Sequence, residues 1–364
     1  MAKIIFNKEY TLYYYNIHDI ARVQSEVALY ELEYFRCNEF SNPDIIVSIT
    51  SSVTSGIHLR RSLIADEYPV SHKIKYTEHF GSLGAQFSID FSGPIKVSVN
   101  SVISRSRHVL YVNLVEPILR FVMISKGHVL LHAACIDMNG HGILLSAPPD
   151  TGKTTAVLKA IKDGFSFLSD DMTIISPPKT AMCFPKPMTI SAHTLKTAAV
   201  VSNNGFGGIG MNIRSLVHSR EGRQSMRKLG RYNVPIFTFN AVGQTLIPPP
   251  KFKIGDVMGS VKILDRTNVG TLCFLQLGGE EAVSISVETA LANAIENSDD
   301  AFLFPPYKEL LDYINIGGRS AKDLLKEERE MLRKFLQGMS CYILRSSSRS
   351  WYHMVDTIAY KAVV

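Results

Sequence analysis

At 364 residues the chain exceeds a typical single domain, and 46% hydrophobic with 20% charged residues is the composition of a soluble protein with a sizeable core. Five cysteines (Cys37, Cys135, Cys183, Cys273, Cys341) lie without paired spacing, which argues against a disulfide framework and against a zinc site. The net charge of +6 suits anionic ligands, but alone it does not imply nucleic acid.

Taken in order, the chain opens with Met1-Ala2-Lys3 and only a short apolar run, which is not a signal-peptide pattern. Residues 1–105 read as β-rich. Tyr10–Tyr15, Ile45–Ile49 and Ile95–Val99 are strand candidates by aromatic and β-branched content, with Gly81, Gly84, Gly93 and Pro94 as punctuation. The tyrosine cluster reads as a half-buried strand in preference to a stacking platform for a sugar or base. The whole region is expected to serve substrate recognition or assembly.

From Ser106 to Ser125 the apolar positions suit a buried helix, with Pro117 kinking it or marking its true start. Val109–Ile124 contains Glu116 and Arg120 and is short for a bilayer span, so no membrane partner and a cytoplasmic location are expected. A strand over Val129–Asp137 carries His132. Asn139-Gly140 is a tight-turn signal joining it in a hairpin to the apolar run Gly142–Ser146.

The next stretch carries the chemistry. Ala147-Pro148-Pro149-Asp150-Thr151-Gly152-Lys153-Thr154 fits a phosphate-binding loop, with Ala in place of the usual first Gly, and Thr155 opens a helix to Lys162. Gly152 lets backbone amides approach phosphate oxygens, Lys153 supplies a point charge, and the Thr154 hydroxyl is a hard ligand for Mg²⁺. The helix N-terminus behind the loop favours an anion. The strand Phe165–Leu168 then ends in Ser169-Asp170-Asp171, 17 and 18 positions beyond Lys153. Paired carboxylates there suit Mg²⁺ binding together with proton abstraction from a hydroxyl. Thr154 and Asp170 are the candidate metal ligands, although the spacing leaves open which aspartate is base and which is ligand.

These residues resemble the catalytic domain of the HPr kinase/phosphorylase family, whose core is shared with ATP-dependent phosphoenolpyruvate carboxykinase. The LHAA strand with His132, the hairpin, APPDTGKTT and the SDD strand end carry the resemblance, over about fifty residues. It implies ATP and Mg²⁺ as cofactors, phosphate and metal binding by Lys153 and Thr154, metal and base roles for Asp170 and Asp171, and a histidine, His132, beside the carboxylates. The chain departs from that family in its missing first Gly and in Thr155, where the HPr enzymes usually have Glu. The implied fold is α/β, with an HPr-kinase-like phosphate-loop catalytic domain on a mixed sheet spanning 106–364, a β-rich region before it and a helical extension at the C-terminus.

Beyond the aspartates, Cys183–Ser191 is a Pro-punctuated extended segment in which Lys186 either reaches a phosphate or faces solvent. Asn203–Gly210 reads as a glycine-rich loop. The arginines of 214–231 read equally as a solvated loop or as a lid or substrate-binding segment whose arginine stabilises the transferring phosphoryl group; nucleic-acid binding is the weaker reading. After Pro248–Pro250 come Lys251 and Lys253, which are candidate base or phosphate contacts, and β-like runs at Ser260–Leu264 and Val269–Leu277. Ser286 caps a helix to about Glu296, and Asp299-Asp300 reads as its polar exit, not a metal site. Ser320–Asp323 is a capping pattern for an amphipathic helix ending at Gly338, which packs on the core or on a second copy in a homo-oligomer. The segment with Arg345, Arg349, Trp351 and Tyr352 is given no chemistry.

The reading is a kinase that passes the γ-phosphoryl group of ATP to a hydroxyl acceptor, either a serine of a protein or peptide or a small hydroxylated metabolite. The rivals are a nucleotide-binding regulatory protein with weak hydrolysis and a carboxykinase-like enzyme.

Overall fold

The computed structural model describes residues 11–50, 62–65, 73–78, 84–148, 151–189, 235–302 and 307–363. Eight strands come first: β1 (Tyr13–Ile17), β2 (Ala21–Ser25), β3 (Arg36–Cys37), β4 (Ile45–Ile49), β5 (Ser62–Ala65), β6 (Lys73–Thr77), β7 (Gln86–Asp90) and β8 (Ile95–Val99). They form one sheet in the order β3-β1-β2-β4-β8-β7-β6-β5. The β2–β4 and β4–β8 pairs are parallel and β8 to β5 a run of antiparallel neighbours. Alternation sets the buried face: Ile95, Val97 and Val99 point inward while Lys96 points out. The tyrosine run is indeed strand, with Tyr15 fully buried and its hydroxyl accepting from the Leu29 amide at 2.8 Å; Tyr10 lies outside the described residues.

The helix Arg107–Ser125 follows and runs unbroken through Pro117. Proline has no N–H for the carbonyl four residues back and its ring crowds that oxygen. The chain answers by widening one turn: the Glu116 amide reaches back five residues to the Tyr111 carbonyl, so Tyr111–Val115 forms a π-turn. By length and composition this helix could cross a membrane, but 83% of its most apolar window is buried inside the protein, as in a core helix. Arg120, fully buried, ties it to the C-terminal helices. Its guanidinium donates to both carboxylate oxygens of Glu328 at 2.9 and 2.7 Å, to Asp299 at 3.2 Å and to Tyr307 at 3.2 Å.

The second sheet uses β9 (Val129–Leu131), β10 (Ala134–Met138), β11 (His141–Ser146), β12 (Ser166–Ser169), β13 (Thr173–Ser176) and β14 (Thr180–Met182). A ribbon of β15 (Met188–Thr189) and β16 (Lys251–Phe252) stands apart, after which β17 (Arg266–Leu277) and β18 (Glu280–Ser284) rejoin the sheet. A second ribbon, β19 (Asn315–Ile316) with β20 (Arg319–Ser320), precedes β21 (Ser340–Ser346). The order is β12-β10-β11-β17-β14-β13-β9, with β21 beside β17 and β18 beside β21. Parallel pairs β11–β17 and β17–β21 make the sheet mixed. The chain is thus mixed α/β with a strand-rich N-terminal region.

Three expectations change. The single strand expected over Val129–Asp137 is two, because β9 pairs with β13 while β10 pairs with β11 and β12. Ser260–Leu264 is not a strand of the sheet; it follows the edge of β12, where the Phe167 amide donates to the Lys262 carbonyl and the Leu264 amide to the Phe167 carbonyl. The helix capped by Ser286 runs to Ala301, so Asp299 and Asp300 lie in its last turn. The glycine-rich stretch 203–210 and the arginine-rich stretch 214–231 lie outside the described residues.

Candidate active site

Strand register brings the candidate residues together. The hairpin turn at Asn139-Gly140 has positive φ at both residues (53° and 87°), the two-residue geometry that pairs β10 with β11. That register sets the start of β10 beside the end of β11, with Ala134 opposite Leu145, and beside the end of β12, with Cys135 opposite Ser169. The phosphate-type loop leaves β11, the aspartates leave β12, and His132 immediately precedes β10. The break between β9 and β10 at His132-Ala133 therefore faces the break between β12 and β13 at Asp170–Met172. Side-chain hydroxyls take over where the ladder stops: Ser146 Oγ donates to the His132 carbonyl at 3.0 Å and Thr173 Oγ1 to the Ala133 carbonyl at 2.8 Å.

The loop closes onto a helix, Lys153–Lys162, whose N-cap is Gly152 at φ 121°. Ala147 is fully buried, and Thr151 Oγ1 donates to the Pro148 carbonyl at 2.7 Å. Pro149 and Asp150 lie outside the described residues. Thr155 sits half-buried in the first helical turn. A Cβ on Gly152 would stand 2.9 Å from Cζ3 of Trp351, whose buried ring closes the back of the loop.

Two buried atoms of charged side chains here make no hydrogen bond: Lys153 Nζ and Asp170 Oδ1. Lys153 Nζ lies 3.8 Å from Asp171 Oδ1, beyond hydrogen-bond range, and its burial pushes its pKa down. Asp170 Oδ2 accepts from Thr154 Oγ1 at 2.9 Å. Burial pushes the Asp170 carboxyl up to about 6, against the pull of Lys153. Asp171 differs, with a side chain 44% exposed. Partial burial would raise its pKa, but Lys186, a hydrogen bond from His132 and Lys153 hold the carboxyl well below the usual range. Lys186 Nζ is 2.7 Å from Asp171 Oδ2 and His132 Nε2 is 3.2 Å from Oδ1.

His132 is fixed on its other side by the Asn297 carbonyl, 3.0 Å from Nδ1. That carbonyl only accepts, so Nδ1 carries a proton, and the contact between Nε2 and Asp171 is closed by one further proton held between the two. Burial and Lys153 push its pKa down, against the pull of Asp171.

Sequence reasoning left Lys186 undecided and passed over three other residues. Lys186 is buried between Pro185 and Pro187 and also meets Glu116 Oε1 at 2.5 Å. Glu116, 3% exposed, was visible as a charge in an otherwise apolar helix, a pattern that calls for a buried partner. Asn297, beside the aspartate pair set aside as a helix exit, supplies a carbonyl to His132 and its amide to Ser146 Oγ at 3.1 Å. Trp351 had no signal beyond being the only tryptophan.

The donor set fits a magnesium nucleotide. An ammonium and a carboxylate oxygen that make no hydrogen bond stand with a hydroxyl around the start of one helix, at a glycine where added bulk would clash. Among the described residues no three His, Cys, Asp or Glu side chains form a metal cage. Mg²⁺ held by one or two protein oxygens and by substrate phosphates requires none.

A family model described as SynChlorMet cassette protein ScmC matches residues 98–204, the stretch that holds all of these residues except Asn297 and Trp351. Among solved structures, the HPr(Ser) kinase/phosphatase from Coxiella burnetii is similar at 10% identity, over 64% of this chain and 95% of that one, with a TM-score of 0.25. No curated protein matches. With so low a TM-score the reading of the site stands on its own geometry.

Proposed function

We propose that the chain is an ATP- and Mg²⁺-dependent phosphotransferase with an alcohol group as acceptor, 106–364 being its catalytic region and 1–105 serving acceptor recognition. The observation that carries this is the nearness of a buried ammonium, Lys153 Nζ, and a buried carboxylate oxygen, Asp170 Oδ1, neither holding a hydrogen bond, to an aspartate that opens to solvent. Lys153 and the loop amides bind the phosphates. Thr154 and Asp170 would hold Mg²⁺, which would supply positive charge against the phosphates. Asp171 orients the acceptor hydroxyl and takes its proton, with His132 Nε2 placed to share it at 3.2 Å. The hydroxyl oxygen bonds to the γ-phosphorus as the bond to the ADP oxygen breaks. Lys186 holds the base in place through Asp171 Oδ2, and catalysis comes mainly from positioning and electrostatics.

The test is incubation with γ-labelled ATP and Mg²⁺ and a cell extract split into macromolecular and small-molecule fractions, run beside Asp171→Asn and Lys153→Met. Acceptor-dependent label with wild type alone supports the reading. Nucleotide binding without any label transfer would favour a regulatory nucleotide switch instead, and full activity of Lys153→Met would overturn the site.

A further inference from the structure

The Lys186–Glu116 pair continues into a second polar cluster that binding ATP or passing its γ-phosphoryl group to water does not need. In a regular α-helix residues five apart lie about 140° apart around the axis. The π-turn instead brings Tyr111 and Glu116 toward one face, and Lys186 Nζ lies 5.8 Å over the Tyr111 ring. One turn earlier His108 Nδ1 meets Glu31 Oε1 at 2.6 Å, with Glu31 delivered by the 3₁₀ turn Tyr30–Phe35 of the N-terminal region. The ribbon pairing of Thr189 with Lys251 brings Lys251 alongside, and its charge acts on Glu31.

Two atoms in this cluster have no hydrogen-bond partner: Glu31 Oε2, on a residue 3% exposed, and the hydroxyl of fully buried Tyr111. Burial, the largest influence, opposes ionisation of Glu31, but the hydrogen bond and charge of His108, the charge of Lys251 and a backbone hydrogen bond together hold its pKa below the ordinary value. A buried, charged oxygen without a donor is costly, and the donor that suits it best is itself charged. A serine on a folded protein surface does not reach atoms this deep. Atoms this deep suit a small molecule or the end of a peptide.

We propose that this cluster is the acceptor subsite and that the acceptor is an alcohol bearing a protonated amine close to its hydroxyl. The amine donates to Glu31 Oε2 and Tyr111 while the hydroxyl faces Asp171. The proposal rests on the phosphotransfer reading for the direction in which the hydroxyl points. The hydroxyl proton passes to Asp171, the hydroxyl oxygen bonds to the γ-phosphorus, and ADP leaves with the electron pair of the broken bond. The chemistry is shared by small amino alcohols and by peptides with an N-terminal serine.

The test compares serinol with glycerol, which differ only in an ammonium replacing the central hydroxyl. Binding is measured by ligand-observed NMR on the full chain without nucleotide, so it does not depend on catalysis. Serinol is expected to bind at least about tenfold more tightly than glycerol, the scale of one charge-assisted hydrogen bond. Glu31→Gln should abolish the difference and Tyr111→Phe, which keeps the buried ring, should reduce it; the urea midpoint of each variant checks its fold. A second arm compares Ser-Gly-Gly with its N-acetylated form: a preference for the free peptide over both acetylated peptide and serinol identifies a peptide terminus as the source. Equal binding of serinol and glycerol, no binding of any amine, or discrimination that survives Glu31→Gln overturns the proposal. If amine binding holds but no label is transferred from ATP, the phosphotransfer reading fails and the amine subsite stands.

Discussion

Trp351 presses its ring against Gly152, so that the phosphate-type loop has a rigid back wall supplied by the last helix of the chain. The wall is itself anchored. The indole N–H is shared between the carbonyls of Gln276 and Leu344, at 3.2 and 3.1 Å, on the neighbouring strands β17 and β21. Behind it Tyr352, Val355 and Ala359 pack with Val157, Ala160 and Ile161 of the loop helix.

Gly152→Ala should therefore lose nucleotide binding. The new methyl meets the Trp351 ring at 2.9 Å and sits at φ 121°, a backbone region costing a non-glycine residue about 1–3 kcal/mol. Because the chain has a single tryptophan, ADP titration of the wild type should change its fluorescence saturably, and Gly152→Ala should show no such change. Nucleotide binding seen by dialysis with unchanged fluorescence would contradict the arrangement.

Lys186→Met should destabilise the fold by about 3–5 kcal/mol, because the buried carboxyl of Glu116 loses its ammonium partner. Replacing both, as Lys186→Met with Glu116→Leu, should recover most of that loss in urea unfolding. Activity should stay low in the double variant, since Asp171 has lost the contact at 2.7 Å that orients it. Recovery of stability and turnover together would show that Lys186 serves packing alone.

The difference between what the chain reveals by inspection and what it hides follows from periodicity. The hairpin, the loop, its helix and the aspartates are local signals: Asn139-Gly140 dictates its turn, and glycine with lysine at a strand-to-helix junction dictates an anion site. Strands β4 and β8 were legible from β-branched content with the same ends the structure gives them. Glu116 and Tyr111 were not, because five-residue spacing places them on different faces of the α-helix that the apolar pattern implies. Only the widened turn at Pro117 brings them together. Lys186 and Trp351 join the site through contacts 15 and about 200 residues away in sequence, which no local pattern encodes.

Acid should loosen the contact between the N-terminal region and the Arg107–Ser125 helix through His108. Burial and the charge of Lys251 push the His108 pKa from 6.5 down to about 4, although Glu31 pulls it back. The unfolded chain therefore binds the proton more readily between those values. The stability this provides is complete above about pH 6.5 and is lost as the pH falls toward 4, with a ceiling of about 3 kcal/mol. Urea midpoints measured from pH 7.5 to 4.5 should fall through this window, and His108→Gln should flatten the part between pH 6.5 and 5. An unchanged slope in the variant would remove His108 as the cause.

Thr154→Val isolates the metal from the phosphates. Valine keeps the branched shape of threonine within the first turn of the loop helix but removes the hydroxyl that donates to Asp170 Oδ2 at 2.9 Å. Lys153 and the loop amides, which would bind phosphate, are untouched. Affinity for ADP with Mg²⁺, measured by calorimetry, should fall about tenfold or more, while affinity for ADP with a chelator present should change little. Asp170→Asn should behave the same way, because it leaves the volume of the side chain and removes the charge at the atom that has no partner. An equal loss with and without Mg²⁺ would place Thr154 and Asp170 in loop structure instead of metal binding, and the base and ligand roles of the two aspartates would then have to be reassigned.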